Sequence, residues 1–308
     1  MELRDIEYFA VVAEHGNVRR ASEALDLSPP ALSKSLRRLE KAMQAKLVER
    51  TPKGVKLTAV GSALLAQVRR IRLTLDDVAR EAADLSQGRA GHLRIGAGPS
   101  VVEHLLPAAY APLLKDAPNL TLEISVTDND VMVPALREGK LDLIFNVIPP
   151  SPYEGLVQEH LFDDEWVVCA SANHRLTKLK RVTLADLAQE RWALPVLNNL
   201  SQEFMLQQWL YRAFAESGLP APQVAVATRS VRLRLQTSAF SNLLGFTSRR
   251  ILKQVGPRFR LKELPIKELT WRRPVGVIHR KDAYLSPAAR RLIEILKSTA
   301  REMSKEQT

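Results

Sequence analysis

Eleven lysine and arginine side chains lie between Ser28 and Arg72, opposed only by Glu40 and Glu49. That stretch carries +9, while the whole 308-residue chain carries +11. The excess positive charge is therefore local. Cations gathered in a short folded segment suit phosphate contacts. Nothing comparable gathers for enzymatic chemistry. There is no nucleophile elbow, P-loop or dinucleotide-binding glycine run. The six histidines show no pair at i, i+3 or i, i+4. Gly96-x-Gly98 begins like a phosphate loop and stops short, and Asp163-Asp164-Glu165 reads as a solvated turn rather than a cation site. Cys169, the one cysteine, sits in an apolar run and reads as a small core residue. It can form no internal disulfide, which fits a reducing cytoplasm. No catalytic residue, metal or cofactor is expected.

The elements that must carry the cations follow from periodicity. Leu3, Ile6, Phe9, Ala10 and Ala13 predict a helix over 3–14, closed by Gly16. Asn17 is a suitable N-cap for a short second helix over 18–25. Asp26-Leu27-Ser28 makes a turn, Ser28 caps a third helix over 30–43, and Pro29 or Pro30 falls in its first turn, where a missing N–H costs nothing. Leu32, Leu36 and Leu39 form its apolar stripe, and Ser33, Lys34, Arg37, Arg38 and Lys41 its polar face. Such a helix can sit on a core and enter a major groove. Short alternating runs around Pro52-Lys53-Gly54 predict a hairpin carrying Arg50, Lys53 and Lys56.

The string Phe9-x-x-Val12-x-Glu14-x-Gly16-Asn17, Ala21-x-x-Ala24-Leu25-x-Leu27-Ser28-x-Pro30-Ala31-Leu32-Ser33, Leu39-Glu40, Leu47, Arg50 and Leu57-Thr58-x-x-Gly61 resembles the signature of bacterial LysR-type regulators. It departs from that signature at Pro29, where the family often has Gln. The resemblance implies a winged helix-turn-helix domain over 1–58 that binds double-stranded promoter DNA. Ser33, Lys34 and Arg37 would read bases from the helix opened by Pro30. Arg38, Arg50, Lys53 and Lys56 would hold phosphates.

Leu64, Val68, Ile71, Leu75, Val78, Ala82 and Leu85 then recur at alternating spacings of four and three, an a/d seam on a long helix. The resemblance implies a linker over 59–91 that pairs two chains, giving a homodimer or homotetramer, with a hinge at 86–91. Residues 92–308 alternate strand-like and helix-like segments. Strands are expected at 93–97, 120–126 and 141–147 with helices over 101–115 and 133–138. A second set begins near 165 and continues through 183–187. It goes on with helices at 204–217 and 231–238 and strands at 224–227 and 243–247. A late strand at 275–279 and a helix over 287–303 complete a parallel α/β pattern. The resemblance implies a periplasmic-binding-protein-like effector domain of two subdomains, 92–161 with 266–308, and 162–265.

Ligands of open α/β sheets bind beyond the carboxyl ends of strands. That rule selects Ser100, Val101, Thr127, Asn129, Asn146, Val147, Asn199, Ser201, Gln202, Phe246 and Thr247 as effector contacts. Gly98-Pro99-Ser100 at a helix start suits an anion, and Arg229, Arg232, Arg234, Arg249 and Arg250 make the second subdomain basic. An anionic small-molecule effector is expected, together with contact to RNA polymerase. The first residues lack a secretory leader and no run is long enough to span a membrane, so a cytoplasmic protein is expected. Two other readings stay open on the residues alone. One is a solute-binding or enzymatic α/β protein with an incidental basic N-terminus, which has no need of the basic segment. The other is a DNA-packaging protein, which leaves the large C-terminal region without a purpose.

Overall fold

A computed structural model of the chain describes residues 2–52, 54–87, 91–103, 105–196, 202–266 and 268–305. The chain divides into two compact units, one up to Arg80 and one from Glu81.

The first unit contains α1 (Leu3–His15), α2 (Val18–Ala24), α3 (Pro29–Met43), β1 (Val48–Thr51), β2 (Gly54–Leu57) and most of α4 (Ala59–Gln87). Its core gathers Phe9, Ala10, Val12, Ala21, Leu32, Leu36, Leu39, Leu47, Leu65 and Val68. Local chemistry sets each boundary. Gly16, at φ 60°, ends α1 in the left-handed region. The Asn17 side chain then accepts from Arg19 N–H at 2.8 Å, and the Ser28 hydroxyl accepts from Ala31 N–H at 3.4 Å. Glu40 takes the N–H groups of Leu47 and Val48 at 3.0 and 3.4 Å, fixing the start of β1. The Thr58 hydroxyl caps α4 through Gly61 N–H at 2.9 Å. A Cβ on Gly61 would lie 2.0 Å from the Leu47 carbonyl oxygen, so α4 and the start of β1 meet backbone to backbone.

Among the described residues the second unit is built on one mixed sheet of nine strands. In chain order it contains β3 (His92–Ala97), α5 (Pro99–Val102), α6 (Leu106–Asp116), β4 (Thr121–Val126), α7 (Asn129–Arg137) and β5 (Leu143–Val147). There follow β6 (Leu156–Ser171), α8 (Leu184–Ala188), β7 (Arg191–Leu194), α9 (Gln202–Glu216), β8 (Gln223–Ala227), α10 (Val231–Phe240) and β9 (Leu244–Ser248). Then come α11 (Arg249–Phe259), β10 (Leu261–Glu263), β11 (Trp271–Arg280) and α12 (Pro287–Lys305). The strand order is β4-β3-β5-β11-β6-β9-β7-β8, with β10 on β6. β3 runs parallel to β4 and β5, and β7 to β8 and β9, while β6 and β11 run antiparallel to their neighbours. Two large cores result. One holds Leu93, Phe145, Val275, Val277 and Leu296. The other holds Trp166, Trp192, Phe214, Leu244 and Phe246.

Several expectations are corrected here. The sheet is mixed because β6 and β11 cross between its two parallel ends. The helix expected over 101–115 is split into α5 and α6, since Pro107 in the first turn of α6 lacks the N–H that continuation would require. β6 begins at Leu156, well before residue 165, and is 16 residues long. Thr183 caps α8 instead of opening a strand. β7, α11 and β10 have no counterpart among the expected elements. Among the described residues no helix is long and apolar enough to cross a membrane.

Candidate DNA interface and effector cleft

In the first unit the apolar stripe of α3 is buried, and Pro30, Lys34 and Arg37 on its other face are exposed, with Ser33 half-buried. Arg50 and Lys56 on the β1–β2 hairpin are also exposed. A groove of about 660 Å³ between α3 and the hairpin is lined by Ser33, Leu36, Arg37, Lys46, Arg50 and Val55, among others. Lys34, Arg37, Arg50 and Lys56 have no carboxylate partner among the described residues, so their charge faces solvent. Lys53 lies outside the described residues. The hairpin is tied to the helices by Val55 N–H donating to the Gly16 carbonyl at 2.8 Å. Gly54, at φ 131°, has a position for Cβ only 2.3 Å from that same carbonyl oxygen, so glycine alone fits there.

Arg38 is placed differently from the phosphate contact expected of it. Its Nε donates to Asp5 Oδ2 at 2.8 Å and its Nη2 to Asp5 Oδ1. Asp5 is fully buried and also accepts from the Ser35 hydroxyl at 2.6 Å. The fork therefore locks α3 onto α1. The Arg38 bonds hold the Asp5 carboxyl down to about 2; burial opposes them, and bonds from Ser35 and the Glu2 backbone assist. A carboxyl held below its unfolded value near 3.9 adds stability above that value, and the contribution is lost as pH falls toward 2. Arg38→Ala should lower the stability of the winged unit at neutral pH, because it leaves the buried Asp5 carboxylate without its arginine partner. It should also flatten the acid limb between pH 4 and 2, as read by urea unfolding across that range.

The linker seam divides in two. Val68 is buried in the core of the first unit and Leu64 packs against it. Ile71, Leu75 and Val78 are 50%, 58% and 56% exposed. Ala82 is exposed as well. The side chain of Leu85 lies outside the described residues.

In the second unit a small cavity is lined by Pro99, Ser100, Asp128, Asn146, Trp166, Val231, Arg234 and Arg273. Of the expected effector contacts, this cavity brings together Ser100 and Asn146. Asn129 stands behind it, accepting from the Asn146 amide at 2.8 Å and donating to the Val147 carbonyl at 3.0 Å. Val101 and Val147 belong to the first core and Phe246 to the second, where it stacks on Trp209. Thr127 is half-buried and does not line the cavity. Thr247 is buried, its hydroxyl without a hydrogen-bond partner among the described residues. Asn199, Ser201 and the side chain of Gln202 lie outside the described residues. The helix N-terminus expected to hold an anion at Ser100 is corrected too, since α5 is a single turn of four residues with a small dipole.

Sequence reasoning did not place Trp166, Val231 or Arg273 at the cavity, and it named Arg234 only as part of a basic second subdomain. Arg273 and Arg234 are 6% and 2% exposed, and Trp166 is equally buried. The one local signal for Arg273 is a charged residue inside the strand that runs from Trp271. Burial pushes the Asp128 carboxyl up, against the pull of Arg229 and Arg234. Burial pushes the Cys169 thiol to about 12, which leaves it protonated and unreactive.

Comparison with known proteins accords with this arrangement. Residues 3–62 match the bacterial regulatory helix-turn-helix protein, lysR family, and residues 86–301 match the LysR substrate binding domain. The regulator GbpR of Azospirillum brasilense is 26% identical over 302 residues, covering 97% of this chain and 87% of that protein. The dual regulator OxyR of Escherichia coli is 30% identical over 191 residues, covering 62% of each. The crystal structure of CbnR, a LysR family transcriptional regulator, superposes with a TM-score of 0.59 at 21% identity, covering 97% of this chain and 99% of that one. With both halves matched over nearly their whole length, the chain belongs to the LysR family of transcriptional regulators, with a helix-turn-helix DNA-binding region and a substrate-binding domain.

Proposed function

We propose that residues 1–58 bind a promoter site as part of a homodimer or higher homo-oligomer, joined through the linker over 59–91. We further propose that 92–308 answers to a small anionic molecule held in the cleft around Ser100. The carrying observation is the exposed face of α3, where Lys34 and Arg37 have no carboxylate partner among the described residues while the opposite stripe is buried. Ser33, Lys34 and Arg37 read base edges. Arg50, Lys53 and Lys56 hold phosphates, and Arg38 positions the helix. CbnR has been solved with its target DNA, which supports the same use of this fold. The buried Arg234 and Arg273 support an anionic effector. A cytoplasmic site of action follows from the DNA partner, and the response is passed to RNA polymerase at the promoter.

Some relatives are named hydrogen peroxide-inducible genes activators. A thiol switch is not the reading supported here, because Cys169 is the sole cysteine and is fully buried.

The test is footprinting on DNA upstream of the protein's own gene and its neighbours, with nonspecific competitor. Arg37→Ala should weaken specific binding by about 1–3 kcal/mol, roughly 5- to 150-fold. Lys56→Ala should instead weaken all sequences alike and reduce the salt dependence by about one counterion. Unchanged operator affinity in Arg37→Ala would remove it from base reading.

A further inference from the structure

The acidic trio Asp163-Asp164-Glu165 lies on β6, which turns successive side chains to opposite faces of the sheet. β11 runs beside it in register, with Arg273 opposite Asp164 and Arg272 opposite Glu165. Arg273, paired with Asp164, lines the cleft. Arg272 and Glu165 face the other way, where a separate cavity of about 300 Å³ opens. Among the described residues its wall is made of Asp163, Glu165, Arg249, Arg250, Lys253 and Arg272, none of which lines the cleft.

The cations come from two elements. Arg249, Arg250 and Lys253 lie in the first two turns of α11, spaced so that Lys253 shares a side with both arginines. Arg272 comes from β11. Glu165 accepts from Arg272 Nε at 2.5 Å and from Arg249 Nη1, so one carboxylate serves two guanidiniums. Arg249 is held further by Glu263, at 3.1 and 2.8 Å. Asp163 pairs with His160 Nε2 at 2.8 Å. The Arg250 guanidinium lies 4.9 Å from the centre of the Phe162 ring. Lys253 is exposed and has no ion-pair partner among the described residues.

The wall thus sets four cations against two carboxylates, and with Glu263 included the cations still exceed the acids by one. It offers no apolar side chain to carry a hydrocarbon or a base. A carboxylate holds its two oxygens in one plane and matches a single guanidinium fork. Donors that converge from a helix and a strand suit an anion whose oxygens point several ways. A phosphate monoester has three such oxygens and a charge of about −1.5 to −2 at neutral pH.

We propose that this cavity is a second ligand site, apart from the cleft, that takes a phosphate-bearing anion through Arg272 and Lys253, with Arg250 beside them. The anion displaces Glu165 from Arg272 and competes with it. The site lies on the reverse of the strand that carries Arg273 into the cleft, so ligands at the two places bear on the same strand.

The test is titration calorimetry of the full chain at about 0.15 M salt with inorganic phosphate, pyrophosphate and glucose 6-phosphate, and with succinate as a dianion that lacks phosphorus. At least one phosphate compound should bind the wild type more tightly than succinate does. Tightest binding of inorganic phosphate identifies the free ion as the ligand; preference for the sugar phosphate or pyrophosphate identifies a phosphorylated metabolite. Lys253→Gln combined with Arg272→Gln should weaken binding on the order of tenfold or more. Lys180→Gln combined with Arg181→Gln removes the same charge from an exposed segment outside the cavity and should leave binding within about twofold. Glu165→Gln should tighten binding several-fold by removing the competitor. Far-UV circular dichroism establishes that each variant is folded; if the Lys253 and Arg272 pair of substitutions is not, Lys253→Gln alone decides. Failure of every phosphate compound to bind overturns the proposal. So does binding that survives the loss of Lys253 and Arg272, an equal loss in the Lys180 and Arg181 variant, weaker binding in Glu165→Gln, or succinate binding as tightly as the phosphates.

Discussion

Leu75→Glu should reduce the proposed homodimer or homotetramer to smaller species in sedimentation and weaken its binding to a two-half-site operator by about 10²–10⁴-fold, the usual gain from tethering two sites. Leu64 and Val68 are spent on the core of the DNA-binding unit. What remains of the seam is Ile71, Leu75 and Val78, spaced four and three residues apart and each at least half exposed. Isolated exposed apolar residues are ordinary, but three on one face of a 29-residue helix call for a facing surface. A carboxylate at the middle position would meet its own twin across a symmetric seam. Glutamate supports a helix nearly as well as leucine, so α4 itself should persist by circular dichroism. A dimer of unchanged operator affinity in Leu75→Glu would remove this face from the pairing surface.

Gly61→Ala should lower the melting temperature of the DNA-binding unit by more than about 10 °C, and here two effects of opposite sign compete. Inside an isolated helix, replacing glycine with alanine stabilises by about 1 kcal/mol. At position 61 the new methyl would sit 2.0 Å from the Leu47 carbonyl oxygen and 3.2 Å from Leu47 Cα. No flexible side chain stands there to yield. Relief requires moving α4 away from β1, which strains the Thr58 bond to the Lys46 carbonyl at 2.7 Å and withdraws Leu65 and Val68 from the core. Overpacking of this kind costs about 3 kcal/mol or more. A unit of this size loses roughly 4–8 °C per kcal/mol. Calorimetry of the full chain reads the result, and a melting temperature equal to or above that of the wild type would show that the propensity gain wins.

The DNA-binding unit was legible because its determinants are local. Asn17, Ser28 and Pro29 announce their own helix starts, and Gly16 announces its stop. The role of Arg38 was not, since its partner Asp5 lies 33 residues away and looks like an ordinary surface acid on an amphipathic helix. In the second unit the alternation of strands and helices was readable, and the rule about strand ends led to Ser100 and Asn146. The same rule overreached at Val101, Val147 and Phe246, whose side chains point into the cores instead of past the strand ends. Arg273 escaped for a different reason. Its partners Ser100 and Asp164 are 173 and 109 residues distant, and the strand that carries it runs antiparallel to β5 and β6. Local pattern does not contain that pairing.

The placement of β11 between β5 and β6 also governs the order in which the protein can assemble on the ribosome. The core around Leu93 and Phe145 includes Val275, Val277, Leu292 and Leu296. It stays incomplete through the synthesis of more than a hundred further residues after β5. The described core of the DNA-binding unit draws on no residue later than Val68. A nascent chain halted near residue 260 therefore bears a finished DNA-reading head on an unfinished sensor. Such a fragment would keep the exposed basic face of α3 while lacking the strand that completes the ligand-responsive half.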